Sequence, residues 1–119
     1  METQAEILVV DDDPLLRLGI IGMLREWGYA PIAAHDPQRA LPLAYEMPGL
    51  NVLITDYQMP GMNGIELARL MVEILPKLHV LIITGNENLP DHLSPDWKML
   101  IKPFTPYDLK LALHDMRLG

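Results

Sequence analysis

Short apolar runs, spaced so that helical patterns fit between them, constrain this chain more than any other feature. Ile7-Leu8-Val9-Val10, Ala30 to Ala34, Val52-Leu53-Ile54-Thr55, Val80-Leu81-Ile82-Ile83 and Met99-Leu100-Ile101 each read as a strand, the second the weakest. They are close to continuously apolar instead of alternating, which is the pattern of strands covered on both faces. Strands of this kind separated by helices predict an α/β fold, a doubly wound parallel sheet with helices on both sides.

The helices announce their starts. Pro14 follows an acidic cluster and suits a first helical position, Leu16, Ile20, Leu24 and Trp27 recur at helical spacing, and Gly28 closes that helix. Asp36-Pro37 opens a second helix to about Glu46, which Pro42 should kink or shorten. Met59-Pro60-Gly61-Met62-Asn63-Gly64 is a turn-rich loop, after which Ile65, Leu67, Ala68, Met71 and Leu75 form an apolar face ending before Pro76. Thr105 caps the last helix, Pro106 takes its first position, Asp108 sits in its first turn, and Leu109, Ala112, Leu113 and Met116 supply its buried face. The segment from Gly85 to Lys98 carries Pro90 and Pro95 with no clean period, so a loop or one irregular turn is expected there.

At 119 residues the chain suffices for one domain, expected to span 1–119, and is too short for two. Its formal net charge of -7 argues against non-specific phosphate-backbone binding as the main role and against docking on anionic membranes. With no cysteine, thiolate metal sites and cysteine nucleophiles are excluded. The polar, acidic start and the lack of an apolar run of roughly 18 residues point to a cytoplasmic protein.

In open parallel sheets, ligands bind beyond the carboxyl ends of the strands. Here those ends carry Asp11, Asp12 and Asp13 after the first strand, Asp56 after the third, Thr84 after the fourth and Lys102 after the fifth. Clustered carboxylates repel one another unless a cation relieves them, and oxygen-only donors favour magnesium. A lysine and a threonine beside that cation suit phosphoryl oxygens. Taken singly, each residue has an ordinary structural role. Asp13, beside Pro14, reads equally as the cap of the first helix. His35, His79, His92 and His114 show no metal-ligand spacing and read as surface or structural, Trp27 reads as core, and Trp97 reads either as an exposed partner contact or as packing over the irregular segment.

The strings ILVVDDDP at 7–14, VLITDYQMPGMNG at 52–64, IITG at 82–85 and IKPF at 101–104 together resemble the response-regulator receiver family of two-component signalling, over essentially the whole chain. The resemblance implies a flavodoxin-like, five-stranded sheet of order 2-1-3-4-5. It also implies that Asp56 accepts a phosphoryl group from a phosphohistidine on a histidine kinase or histidine phosphotransfer protein. By the same resemblance Asp11, Asp12, Asp56 and the Gln58 backbone carbonyl hold Mg2+, with Mn2+ as an alternative. Thr84, the Gly85 N–H and Lys102 bind the phosphoryl group, and the bond before Pro103 is cis. Such a protein is a signalling switch that catalyses only its own phosphorylation and dephosphorylation. It acts on a downstream protein partner, and a homodimer is a further option.

This chain departs from the family pattern in two places. Met99 stands where the family's aromatic switch residue usually lies, and the interval from Thr84 to Lys102 is short, so the fourth helix is expected to be reduced or absent. The output route is therefore expected to differ from the usual one. Gln58 and Asn86 occupy positions that tune dephosphorylation in the family. Two rival readings are a haloacid-dehalogenase-like phosphatase built on Asp11, Asp13, Thr84 and Lys102, and a receiver-fold interaction module that is never phosphorylated. The first leaves Asp56 without a role and lacks an acidic pair after the lysine; the second has no missing site residue to motivate it.

Overall fold

A computed structural model of the chain describes residues 4–85, 93–116 and 118. The elements run β1 (Glu6–Val10), α1 (Pro14–Glu26), β2 (Ala30–Ala34), α2 (Pro37–Ala40), α3 (Leu43–Glu46), β3 (Val52–Asp56), α4 (Gly64–Ile74), β4 (His79–Thr84), β5 (Lys98–Ile101) and α5 (Pro106–Asp115). All pairings are parallel and the strand order is β2-β1-β3-β4-β5, the doubly wound order expected.

Strand alternation sets the layers. Ile7, Val9, Val52, Ile54, Leu81 and Ile83 face α1 and α5, where they meet Ile20, Ile21, Leu24, Leu109 and Leu113. Leu8, Val10, Leu53, Val80 and Ile82 face the opposite side and pack with Ala40, Ala44, Ile65, Leu67, Ala68 and Met71 of α2, α3 and α4. Because both faces are covered, the central strands are apolar along their length. Trp27 is half-buried against the α1–α5 cluster, with the Lys110 ammonium 5.6 Å from its ring centre. Trp97 packs on the other face.

Helix starts follow the local chemistry. The Asp13, Asp36, Asn63 and Thr105 side chains accept N–H bonds in the first turns of α1, α2, α4 and α5, and Asn63–Glu66 and Thr105–Asp108 form reciprocal capping boxes. Gly28, at φ +90, turns the chain out of α1. The single helix expected from Asp36 to about Glu46 is instead two four-residue helices. Pro42 has no N–H to continue α2, and it stands at the start of α3. Strands β4 and β5 each begin one residue before their apolar runs, since His79 pairs with Val52 and Lys98 with Leu81. Residues 86–92, with Asn86, Pro90 and His92, lie outside the described residues, so the expected loss of the fourth helix is seen only for 93–97. There the chain makes a turn, with the Trp97 N–H donating to the Ser94 carbonyl at 3.1 Å, and no helix.

Candidate functional site

Register brings the predicted residues to one rim. Val10 pairs with Thr55, Asp56 with Ile83, and Thr84 with Ile101, so Asp11, Asp56, Thr84 and Lys102 stand at the carboxyl ends of four adjacent strands. The Tyr57 N–H donates to the Ile83 carbonyl at 2.8 Å and the Lys102 N–H to the Thr84 carbonyl at 2.7 Å, which ties these ends together. Asp11, Asp56 and Thr84 are buried, whereas Asp12, Gln58 and Gly85 are exposed at the mouth. The peptide bond between Lys102 and Pro103 is cis.

One carboxylate oxygen from each of Asp11, Asp12 and Asp56 falls within 4.8 Å of the other two. The Lys102 Nζ lies 3.3 Å from Asp56 Oδ1. Burial pushes the Asp11 carboxyl up to about 6; the Asp13 N–H bond opposes this and the Asp56 charge adds to it. Burial likewise raises Asp56, opposed by the charge and hydrogen bond of Lys102 and reinforced by Asp12. Asp11 Oδ1 accepts the Asp13 N–H at 2.9 Å, but its Oδ2 is buried with no hydrogen-bond partner. A buried, unpartnered carboxylate oxygen beside two more carboxylates is costly without a cation. This all-oxygen donor set fits a hard divalent ion such as Mg2+.

The Asp13 carboxylate is taken up elsewhere. Its Oδ1 accepts the Leu15 N–H at 3.0 Å and caps α1, so the second acid of the phosphatase reading is engaged in helix capping. Among the described residues no histidine joins the metal-capable cluster. His35 instead lies against Asp36 and Arg39, His79 starts β4, and His114 sits in the last turn of α5.

Two residues given no role in the sequence reading, one closing the 52–64 string and one outside all four strings, also build the site. Gly64, the first residue of α4, donates its N–H to the Tyr57 carbonyl at 2.9 Å, and the helix start presses on the Asp56 backbone. Its sequence signal was a glycine at the first position after a capping asparagine, where any helix former would otherwise serve. The half-buried Arg17 donates from NH1 to the Asp11 carbonyl at 2.6 Å. Its signal was a cation three, four and seven residues before Ile20, Ile21 and Leu24, on the apolar face of α1.

Residues 7–114 match the family model of the response regulator receiver domain. The chain is 38% identical to the response regulator receiver protein CpdR of Brucella abortus, a match covering 95% of this chain and 97% of that one. It is 33% identical to ARR21 of Arabidopsis thaliana; that match covers 95% of this chain but only 20% of the relative's length. The crystal structure of the response regulator TrrA from Thermotoga maritima, in complex with Mg2+ and BeF, superposes with a TM-score of 0.85 at 26% identity, covering 95% of this chain and 99% of that one.

Proposed function

The chain belongs to the response-regulator receiver family, and on that premise we propose that Asp56 is its phosphoacceptor, served by the residues gathered around it at the carboxyl rim. The observation that carries this reading is the pairing of a buried strand-end carboxylate with Lys102 at 3.3 Å, beside an acidic cluster with an orphaned oxygen. An Asp56 carboxylate oxygen forms the new P–O bond as the donor's histidine N–P bond breaks, and the imidazole leaves with that bond's electron pair. Asp11, Asp12, Asp56 and the Gln58 carbonyl hold Mg2+ or Mn2+, which supplies charge neutralisation for the phosphoryl oxygens. Lys102 adds a second positive charge, and the Thr84 hydroxyl and Gly85 N–H donate to the same oxygens.

The binding energy of these contacts, present only in the phosphorylated form, biases the domain toward an active state. A coupling of about 1–3 kcal/mol is enough for such a shift. The partners on this reading are a cytoplasmic histidine kinase or histidine phosphotransfer protein upstream and a protein effector downstream. The domain works as a switch, with no substrate beyond its own aspartate. Incubation with Mg2+ and a small phosphodonor, followed by intact-mass measurement, tests the assignment. One phosphoryl group is expected on the wild type and none on Asp56→Asn; an unlabelled wild type, or equal labelling of both, would overturn it.

A further inference from the structure

The guanidinium of Arg17 has no acidic partner among the described residues that would explain its half-burial on the core face of α1. Its NH1 donates to the carbonyl of Asp11 at 2.6 Å, a short, charge-assisted bond. That carbonyl belongs to the peptide joining Asp11 to Asp12. A peptide is planar, so fixing its carbonyl fixes the last backbone torsion of Asp11 and constrains the first of Asp12. Those two torsions aim the side chains of the two acids.

The bond is one link in a closed bracket. The Asp13 N–H donates to Asp11 Oδ1 at 2.9 Å, the Asp13 carbonyl accepts the Arg17 N–H at 3.0 Å, and Arg17 returns to the Asp11 carbonyl. Asp11 is therefore held at its backbone and at one carboxylate oxygen by the first turns of α1, and the remaining oxygen, Oδ2, is left buried without a hydrogen-bond partner. The bracket costs no ligand atom, because Arg17 engages a backbone oxygen that the metal site does not use.

We propose that Arg17 is a positioning residue for the acidic cation site: its guanidinium locks the Asp11–Asp12 peptide so that the two carboxylates converge with Asp56 before the ion arrives. The inference rests on the reading of Asp11, Asp12 and Asp56 as a Mg2+ site. Its chemistry suits arginine in particular, since the planar fork holds a fixed direction that a lysine ammonium on a flexible stem does not.

Charge and positioning predict opposite signs. By charge alone, removing a cation close to a cation site relieves repulsion and tightens Mg2+. By positioning, it loosens Mg2+, by about tenfold on the scale of other residues that orient metal ligands. The experiment is a Mg2+ titration of the full chain, wild type and Arg17→Ala, Arg17→Lys and Arg25→Ala, followed by the amide resonances of Asp11 and Asp12. Arg25 is an exposed arginine in the last turn of the same helix and controls for net charge. Expected are weaker binding in Arg17→Ala, partial recovery in Arg17→Lys and no loss in Arg25→Ala. The Asp11 and Asp12 amides of the metal-free Arg17→Ala protein should shift or broaden while those of β3 and β4 stay in place. Unchanged or tighter binding in Arg17→Ala, or equal loss in Arg25→Ala, overturns the inference. If Arg17→Ala does not fold, Arg17→Lys decides by the same criteria. A wild type that binds no Mg2+ sinks the site reading itself, and with it this role for Arg17.

Discussion

A β-carbon on Gly64 would lie 2.2 Å from the carbonyl oxygen of Asp56 and 3.1 Å from the Thr55 methyl, so α4 starts closer to the end of β3 than any other residue permits. The loop that follows Asp56 is thereby stapled back onto it, with the Gly64 N–H on the Tyr57 carbonyl. Gly64→Ala sets two effects against each other. Helix propensity alone favours alanine by about 1 kcal/mol. The clash forces backbone to move and costs about 1–3 kcal/mol or more. We predict that the clash wins: urea denaturation should show net destabilisation, and Asp56 labelling should slow. A more stable variant with unchanged labelling would refute the close-approach argument.

The carboxylate cluster predicts an unusual pH dependence. Asp11 is raised from 3.8 to about 6 in the folded protein, and Asp56 is raised as well. Between those pH values the folded state binds more protons than the unfolded one, so stability falls as pH rises. For Asp11 the loss is on the order of 3 kcal/mol once pH passes 6, if no metal is present. Mg2+ displaces the Asp11 proton, so its apparent affinity should drop by about tenfold per pH unit below 6 on that account. Urea midpoints of the metal-free protein at pH 4 to 7 check the first part, with Asp11→Asn as the comparison whose slope should flatten. A wild-type midpoint that climbs steadily over that range would contradict it.

Much of this was legible in the sequence because it rests on covalent order. A parallel α/β sheet exposes the residue after each strand at one rim, so Asp11, Asp56, Thr84 and Lys102 could be gathered from spacing and family motif alone. Asp13 was legible as a cap because Pro14 follows it. What stayed hidden depends on distances between elements. Gly64 reads as one more turn residue until the helix start is seen against the Asp56 carbonyl. Arg17 reads as an ordinary helical cation until its side chain is seen to bend back to Asp11. The split at Pro42 was legible in direction only, since the sequence shows that the helix must be interrupted but not whether it kinks or breaks.

Lys102 sits 3.3 Å from Asp56 Oδ1, beside the acidic cluster proposed to hold a cation. Replacing it with methionine keeps most of its stem while removing the charge. Two opposite changes follow. Mg2+ should bind more tightly, because a like charge is gone. Labelling of Asp56 should nevertheless slow by at least about tenfold, because one of the two charges stabilising the transferred group is lost. A metal titration and a labelling time course on Lys102→Met separate the two. Weaker Mg2+ binding, or labelling at the wild-type rate, would show that Lys102 serves the fold instead of the transfer.

Thr84 links the site to the sheet face behind it. It is buried at the end of β4, on the same face as Val80 and Ile82, and that face is covered in part by Trp97. Met99, 38% exposed, offers no ring at the place where the family's aromatic switch lies, so Trp97 is the aromatic side chain nearest in sequence to report a change there. Trp27 lies on the opposite face and can be replaced by phenylalanine to leave Trp97 as the single tryptophan. In that background, phosphorylation is expected to change Trp97 emission. Adding Thr84→Val keeps the side chain's shape and removes only the hydroxyl, so Asp56 should still be labelled while the emission change shrinks by at least half. An emission change of full size in the valine variant would mean that the signal reaches this face without the Thr84 hydroxyl.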